Sequence, residues 1–98
     1  MKRKIQVRSY FKKDLKRLKK SKYDLEKLFT LIELLANDEV LEEKYKDHKL
    51  TGNYFACREC HIEPDWLLIY EKIDNNLILI LNRSDSHSDL FKKKIKFF

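Results

Sequence analysis

The residues that can move a proton near neutral pH occupy two short stretches of this chain. His48 and His61 lie within residues 45–70, a stretch that also contains both cysteines and the only Gly, Pro and Trp. His87 follows a later apolar run. Imidazole has a reference pKa of about 6.5, so a histidine can act as an acid or as a base near neutral pH. A pair of histidines can therefore remove one proton and donate another in the same reaction.

Cleavage of RNA by transesterification needs those two roles. One group takes the proton of the 2′-hydroxyl, and another donates a proton to the leaving 5′-oxygen. A cation such as Arg83 stabilises the charge that develops on the phosphorane, and no metal ion is required. Each histidine taken singly is also compatible with an ordinary surface residue. Their placement beside Asp65 and Arg83, at predicted strand ends, favours a shared site if the fold brings them together.

The cysteines form the string Cys57-Arg-Glu-Cys60-His61, which matches the attachment sequence of c-type haem. We expect no haem, because the only Met is residue 1 and cannot serve as a usual axial ligand. On a strand, Cys57 and Cys60 would also point to opposite faces. A zinc site would need His48 and His87 to complete it. We therefore expect no cofactor and interpret both cysteines as small, half-buried strand residues.

Positive charge is concentrated in the N-terminal third of the chain. Residues 1–30 contain twelve Lys or Arg and three Asp or Glu, a balance of +9, whereas residues 31–75 contain five and eleven, a balance of −6. Such polarity suits a polyanion such as RNA, or an acidic protein partner. We predict phosphate contacts for Lys12, Lys16 and Lys20, on the basic face of the first helix. A merely solvated helix face is the alternative.

Two aromatic residues are candidates for contact with RNA bases. Trp66 follows the turn Glu63-Pro64-Asp65, and Phe91 follows His87. Aromatic rings stack on bases at single-stranded RNA sites, but both residues could equally pack in the core. We assign Tyr70, within an apolar run, to the core. Arg58 would point away from His61 on a regular strand, so we predict a structural ion pair for it.

Length and composition indicate a single globular domain over residues 1–98, with 43% hydrophobic residues and 12% aromatic residues. No apolar run approaches the roughly 18 residues that a membrane helix needs. The basic N-terminus is not followed by the apolar segment of a secretory signal. Because two cysteines without an export signal suit a reducing compartment, we expect a cytoplasmic protein.

The first half of the chain predicts a strand and two helices. Residues 4–8 alternate as a strand, with Ile5 and Val7 toward the core. Residues 10–20 show helical spacing, with Ser9 as the N-cap and one apolar face formed by Phe11, Leu15 and Leu18. Asp24 caps a second helix over residues 25–36, whose apolar side comprises Leu25, Leu28, Phe29, Ile32, Leu35 and Ala36, with Leu31 at the margin. The short link between the helices predicts an antiparallel pair.

The second half predicts strands. Residues 54–62 alternate, residues 66–70 and 77–81 are apolar runs typical of central strands, and residues 74–76 form a hairpin turn. Residues 39–46 predict a helical turn, and residues 83–88 are expected to leave the sheet. The predicted order is β-α-α-β-β-β, an α+β fold with a helical hairpin packed on one face of a largely antiparallel sheet.

Several of these residues form strings that resemble the YafQ branch of the RelE-type toxins, the toxin halves of bacterial type II toxin–antitoxin pairs. The strings are Tyr45-Lys46-Asp47-His48-x-Leu50-x-Gly52, then Arg58-Glu59-x-His61-Ile62-Glu63-Pro64-Asp65-Trp66-Leu67-Leu68-Ile69-Tyr70, then Arg83-x-x-x-His87-x-x-Leu90-Phe91. The likeness runs nearly the full length of the chain. The loop after Arg83 departs from the family, which commonly has Gly where this chain has Asp85.

The resemblance implies a RelE-like fold and endoribonuclease activity on mRNA, in many relatives on the ribosome, with neutralisation by a cognate antitoxin. It also implies catalytic roles for His48, His61, Asp65, Arg83 and His87, with Trp66 and Phe91 shaping the site. In this scheme His87 is the general acid, Arg83 holds the phosphate, and the base is His48, His61 or Asp65. The alternative is a relative that binds RNA, the ribosome or an acidic partner without cutting RNA.

Overall fold

The structure is a computed structural model that describes residues 2–52, 56–86 and 90. Its elements are, in chain order, β1 (Lys4–Val7), α1 (Ser9–Lys19), α2 (Leu25–Ala36), β2 (His48–Lys49), β3 (Arg58–Glu63), β4 (Trp66–Ile73) and β5 (Ile78–Ser86). A 3-10 turn, Glu43–Tyr45, precedes β2 and accounts for the helical turn predicted there. The predicted order of elements is confirmed, with the two-residue strand β2 as an addition.

The described strands form one mixed sheet with the order β1-β5-β4-β3-β2. β1 pairs in parallel with β5, and the other neighbours are antiparallel. The β1 ladder ends at the pair Val7 and Leu81, although β5 continues to Ser86. Since α1 begins directly after β1, the helix takes the position beside β5 that a longer first strand would occupy, and the backbone N–H of Ser84 donates to Asp14 of α1 at 3.0 Å.

The second helix was predicted correctly, and the first only in part. α2 has the predicted bounds, and the side chain of Asp24 accepts a hydrogen bond from the Glu26 N–H at 3.1 Å, which satisfies one of the free donors of the first turn. The predicted cap at Ser9 is wrong. Ser9 is already helical, and the N-cap is Arg8, without a side-chain hydrogen bond. The Arg8 N–H instead donates to the Leu81 carbonyl of β5 at 3.0 Å.

The main core lies between the helices and the sheet. It contains Phe11 and Leu18 of α1, the leucines of α2 and inward residues of three strands, namely Cys60, Ile62, Trp66, Leu68, Tyr70, Leu79 and Leu81. Three residues predicted to face the core, two in β1 and one in α2, are partly exposed. Ile5 and Val7 are 38% and 39% exposed because β1 is an edge strand, and Phe29 is 48% exposed, while the marginal Leu31 is buried. An alternating or helical hydrophobic pattern does not indicate where the packing of a neighbouring element over that face ends.

A smaller apolar cluster covers the other face of the sheet. It consists of Cys57, Leu67, Ile69 and Leu90, with Leu50 packed against it. Cys57 and Cys60 therefore lie on opposite faces, as predicted, although both are fully buried rather than half-buried. Burial raises the pKa of the Cys57 thiol to about 11, with a further contribution from Glu71. Neither thiol is activated for chemistry.

β5 is longer than the apolar run 77–81 indicates. Residues 83–86 were expected to leave the sheet, but they continue the ladder with β4, where Leu67 is opposite Asp85 and Trp66 is opposite Ser86. These polar residues remain in the strand because α1 and β4 supply partners for them. Residues 87–89 and 91–98 lie outside the described part of the chain. Within the described residues no helix is long and apolar enough to cross a membrane.

Candidate active site

The sheet places most of the predicted catalytic groups on the face opposite the helices. Two rows of residues in register cross this face: His48–Glu59–Ile69–Arg83 and, one step further along the strands, His61–Leu67–Asp85. Residues paired across strands point to the same face. Neighbouring strands lie about 4.8 Å apart and alternate residues of a strand about 7 Å apart, so the backbones of His61 and Arg83 are separated by roughly 12 Å. We call this surface, which faces away from the helices, the open face, although Leu67 and Ile69 at its centre are buried in the smaller apolar cluster.

His48 is held by acceptors at both ring nitrogens. Nε2 lies 2.9 Å from Oε2 of Glu59, the residue opposite it in the ladder, and Nδ1 lies 2.6 Å from the Lys46 carbonyl oxygen. Glu59 is buried, whereas the His48 side chain is 50% exposed. A ring with an acceptor at each nitrogen is satisfied by the doubly protonated form. In this arrangement both ring nitrogens of His48 are occupied by acceptors.

His61 differs from His48 in that only one of its ring nitrogens has a hydrogen-bond partner among the described residues. Its Nδ1 lies 3.1 Å from the Pro64 carbonyl oxygen, which can only accept, so Nδ1 carries a proton. The neutral ring then has its lone pair on Nε2, the form that a general base needs. Asp65 follows Pro64 in the exposed β3–β4 turn. This turn borders a shallow surface cavity lined by Lys22, Tyr23, Glu63, Pro64, Asp65 and Trp66.

Arg83 is fixed by a buried carboxylate from α1. Its Nε lies 2.7 Å from Oδ2 of Asp14 and its Nη2 lies 3.0 Å from Oδ1, which is the bidentate geometry of a strong ion pair. The guanidinium also lies over the Tyr10 ring, 5.5 Å from its centroid. Asp14 is 1% exposed. These contacts hold the guanidinium in one orientation beside the open face.

Asp85 is paired rather than free. Its Oδ2 accepts a hydrogen bond from Nη2 of Arg17, and its Oδ1 accepts one from the Ser86 N–H at 2.8 Å. The negative charge that Asp85 adds at this position is therefore offset by Arg17. Arg17 also donates to Asp14 at 2.8 Å.

Trp66 packs in the core rather than on the surface. Its side chain is 1% exposed, its ring centroid lies 4.7 Å from that of Tyr23, and its Nε1 donates to Oγ of Ser84 at 3.0 Å. Of the two alternatives given for Trp66, the structure favours packing over base stacking. Ser84 in turn donates to the Leu67 carbonyl at 2.9 Å, so the indole fixes the strand residue between Arg83 and Asp85.

The ion pair predicted for Arg58 is confirmed. Its Nη2 lies 3.1 Å from Oδ2 of Asp47, and Asp47 also accepts a hydrogen bond from the buried Tyr70 hydroxyl. Burial and the bond to Asp47 raise the pKa of Tyr70. This network joins β3 and β4 to the residue before His48, and so fixes the start of β2.

Some predicted residues are not joined to the open face. Lys12, Lys16 and Lys20 are exposed along α1 and its C-cap, as a phosphate-binding face requires. His87 and Phe91 lie outside the described residues.

Sequence reasoning missed Asp14 and Glu59, the two buried carboxylates that hold Arg83 and His48. A signal existed for Asp14, since it is the only acidic residue among the basic residues of α1 and precedes Arg17 by three positions, a spacing that favours contact on a helix. Glu59 gives no such signal, because its partner is set by the register between β2 and β3.

Comparison with known proteins decides the family. Residues 3–92 match the family model described as the bacterial toxin of type II toxin–antitoxin system, YafQ. The chain belongs to the YafQ toxin family. The mRNA interferase toxin YafQ of Escherichia coli strain K12 is 39% identical over 90 residues, which are 91% of this chain and 96% of that protein.

Solved structures of similar toxins share the fold as well as the sequence. The YafQ chain in the crystal structure of the E. coli DinJ–YafQ complex has a TM-score of 0.83 at 39% identity, covering 91% of this chain and 98% of that one. A metal-bound toxin from Helicobacter pylori has a TM-score of 0.85 at 43% identity, covering 93% and 100%. The RelE-like α+β fold predicted from the sequence is confirmed.

Proposed function

We propose that this chain is an endoribonuclease toxin, an mRNA interferase, that cleaves mRNA through attack of the 2′-hydroxyl and is neutralised by a cognate antitoxin. The observation that supports it most is the placement of His48, His61 and Arg83 on one face of a YafQ-family fold, on β2, β3 and β5. Acid–base catalysis at a single phosphodiester requires groups that approach it from one surface.

His61 is the best-placed general base among the described residues. Its free Nε2 can take the proton of the 2′-hydroxyl while the Pro64 carbonyl holds the ring through Nδ1. His48, with an acceptor at each nitrogen, would instead place a positive charge near the phosphate. Asp65, next to Pro64, would stabilise the His61 imidazolium that forms during the reaction.

Arg83 would bind the scissile phosphate. Nε and Nη2 of its guanidinium donate to Asp14, which orients the cation, and the 16% exposure of its side chain leaves a route for a phosphate oxygen to reach it. A preorganised cation costs no reorganisation when the phosphorane forms. The family resemblance assigns the general acid to His87, which directly follows the last residue of β5, and mRNA positioning to Phe91.

A metal is not needed in this scheme. The H. pylori relative is metal-bound, but the described part of this chain contains no group of three or more His, Cys, Asp or Glu side chains placed to hold an ion. We propose cleavage without a metal, haem or zinc, and cleavage in the presence of a chelator tests that proposal.

The partners follow from the same family. DinJ forms a complex with YafQ in E. coli, and we propose an antitoxin of that kind for this chain. We further propose that the toxin acts in the cytoplasm on mRNA at the ribosome, with the exposed residues Lys12, Lys16 and Lys20 of α1 contacting phosphates.

The test is RNA cleavage in the presence of a chelator, with and without translating ribosomes. The proposal expects products with 2′,3′-cyclic phosphate ends and a strong loss of rate in His87→Ala. RNA that stays intact under both conditions would refute it. If RNA or ribosomes bind in a salt-dependent way that His87→Ala does not change, and no cleavage occurs, the chain is a binding module of the same fold.

A further inference from the structure

Two arginines share one buried carboxylate at the edge of the open face. Nη2 of Arg17 lies 2.8 Å from Oδ1 of Asp14, and Nη2 of Arg83 lies 3.0 Å from the same oxygen. Their side chains differ in accessibility, since Arg17 is 51% exposed and Arg83 is 16% exposed. A phosphate group that reaches Arg83 from solvent would therefore approach Arg17 as well.

The four charged side chains of this cluster balance. Arg17 and Arg83 provide two positive charges, and Asp14 and Asp85 provide two negative charges. Asp14 is committed to Arg83 and to the Ser84 N–H, so its charge stays in place. Asp85 is the second anion on Arg17, and its side chain is 9% exposed beneath that guanidinium. Without Asp85, the remaining three side chains of this cluster would sum to one positive charge, with the half-exposed Arg17 as the arginine that lost its second carboxylate.

We propose that Arg17 is a second phosphate-binding residue, which takes the phosphodiester next to the scissile one, and that Asp85 competes with RNA for it. This inference rests on the proposed function. Arginine binds carboxylate and phosphate with the same donor geometry, so the two anions are true competitors for one guanidinium. The guanidinium of a half-exposed arginine can turn toward solvent while the backbone of that residue stays in the helix.

The competition gives opposite effects for the two members of one ion pair. Asp85→Asn keeps an oxygen that can accept from the Ser86 N–H but removes the competing charge, so RNA binding should tighten. Arg17→Gln removes the ligand, so binding should weaken. If the pair were only structural, loss of either partner would affect binding in the same direction.

The probe is a short single-stranded RNA with 2′-O-methyl groups, which lacks the attacking hydroxyl and cannot be cut by this chemistry. Its affinity for the full chain is measured at several salt concentrations for wild type, Arg17→Gln, Asp85→Asn and the double variant. Glu33→Gln is the charge-matched control for Asp85→Asn. Glu33 pairs with Lys2 at 2.6 Å, next to the end of the sheet where β5 begins rather than where it ends.

We expect Asp85→Asn to tighten binding about 2- to 5-fold beyond Glu33→Gln, the size of one exposed ion pair. Arg17→Gln should weaken binding and reduce the slope of log affinity against log salt by about 0.7. The double variant should behave as Arg17→Gln does. The inference is overturned if Asp85→Asn weakens binding or only matches Glu33→Gln, or if the double variant binds more tightly than Arg17→Gln.

Because Asp85 is nearly buried, thermal unfolding of every variant is recorded, and Asp85→Ser is the second neutral variant, subject to the same expectation. Binding of an uncut probe is independent of catalysis. If wild type cleaves no RNA but Asp85→Asn and Arg17→Gln change the affinity in opposite directions, the proposed function fails and the phosphate site stands. If wild type cleaves RNA and the signs agree, only the phosphate site fails.

Discussion

Replacing Asp14 by Asn tests whether one buried carboxylate joins α1 to β5, the strand that contains Arg83. Asp14 accepts from Arg17, from two nitrogens of Arg83 and from the Ser84 backbone. The amide keeps the shape of the side chain but removes the charge and turns an NH₂ group toward these donors. Breaking a buried ion pair by removing one partner costs about 3–5 kcal/mol. Because both arginines reach solvent in part, we expect about 2–3 kcal/mol.

That free energy is measurable as a change in melting temperature. For a domain of this size, 1 kcal/mol shifts the midpoint by about 4–8 °C, so Asp14→Asn should lower it by about 10 °C or more. Urea unfolding at pH 7 with an unchanged slope would assign the loss to the native state. In RNA cleavage measured well below the midpoint, the variant should also lose rate, because Arg83 is no longer held in one orientation.

Asp38→Asn is the matched control. Asp38 also accepts from two cationic side chains, Arg3 at 2.6 Å and Lys72 at 2.9 Å, but it is 40% exposed. Arg3 keeps the Asp74 carboxylate and two backbone carbonyls as partners. The control should therefore cost less than about 1 kcal/mol. If Asp14→Asn is no more destabilising than Asp38→Asn, the assignment of Asp14 as the connecting residue is wrong.

Three further measurements test the site and the fold. His61→Ala should lower the single-turnover cleavage rate by about 10²-fold or more, as loss of a general base does, while a rate near wild type would move that role to another group. Asp24→Ala should cost about 1 kcal/mol in urea unfolding, and an unchanged midpoint would show that the cap contributes nothing. Because the pKa of Cys57 is raised in the folded protein, the thiol of the unfolded chain ionises first, near its ordinary value of 9.0. The free energy of unfolding is therefore unaffected by this group below pH 9.0 and falls as pH rises toward about 11. The loss should not exceed about 1.4 kcal/mol per pH unit for this one proton, and Cys57→Ala should lessen it, whereas equal pH dependence in the two proteins would contradict the assignment.

Local sequence patterns predicted the helices and strands better than they predicted which side chains are buried. The spacing of leucines and the cap at Asp24 predicted α2 with its observed bounds, because both signals act within a few residues. The same spacing placed Phe29 in the core, where the structure leaves it half exposed. The failure at Ser9 has a related cause, since the start of α1 is fixed by the bond from Arg8 to β5 rather than by a side-chain cap.

The strand β5 shows where local signals mislead. Its apolar run stops at Leu81, and the polar residues 82–86 look like a loop. They stay in the sheet because Trp66 and Asp14, which lie 18 and 70 positions away along the chain, supply hydrogen-bond partners for Ser84. A buried strand tolerates polar residues only when such hydrogen-bond partners exist.

The sequence alone determined the chemical groups, the order of the elements and the family, because residue identity, hydrophobic periodicity and motif spacing are local properties of a chain. Only the tertiary structure decided that His48 meets Glu59, that Arg83 is held by Asp14, and that Trp66 is buried. Those outcomes depend on strand register and on the place where α1 crosses beside β5, which are set by packing between distant segments.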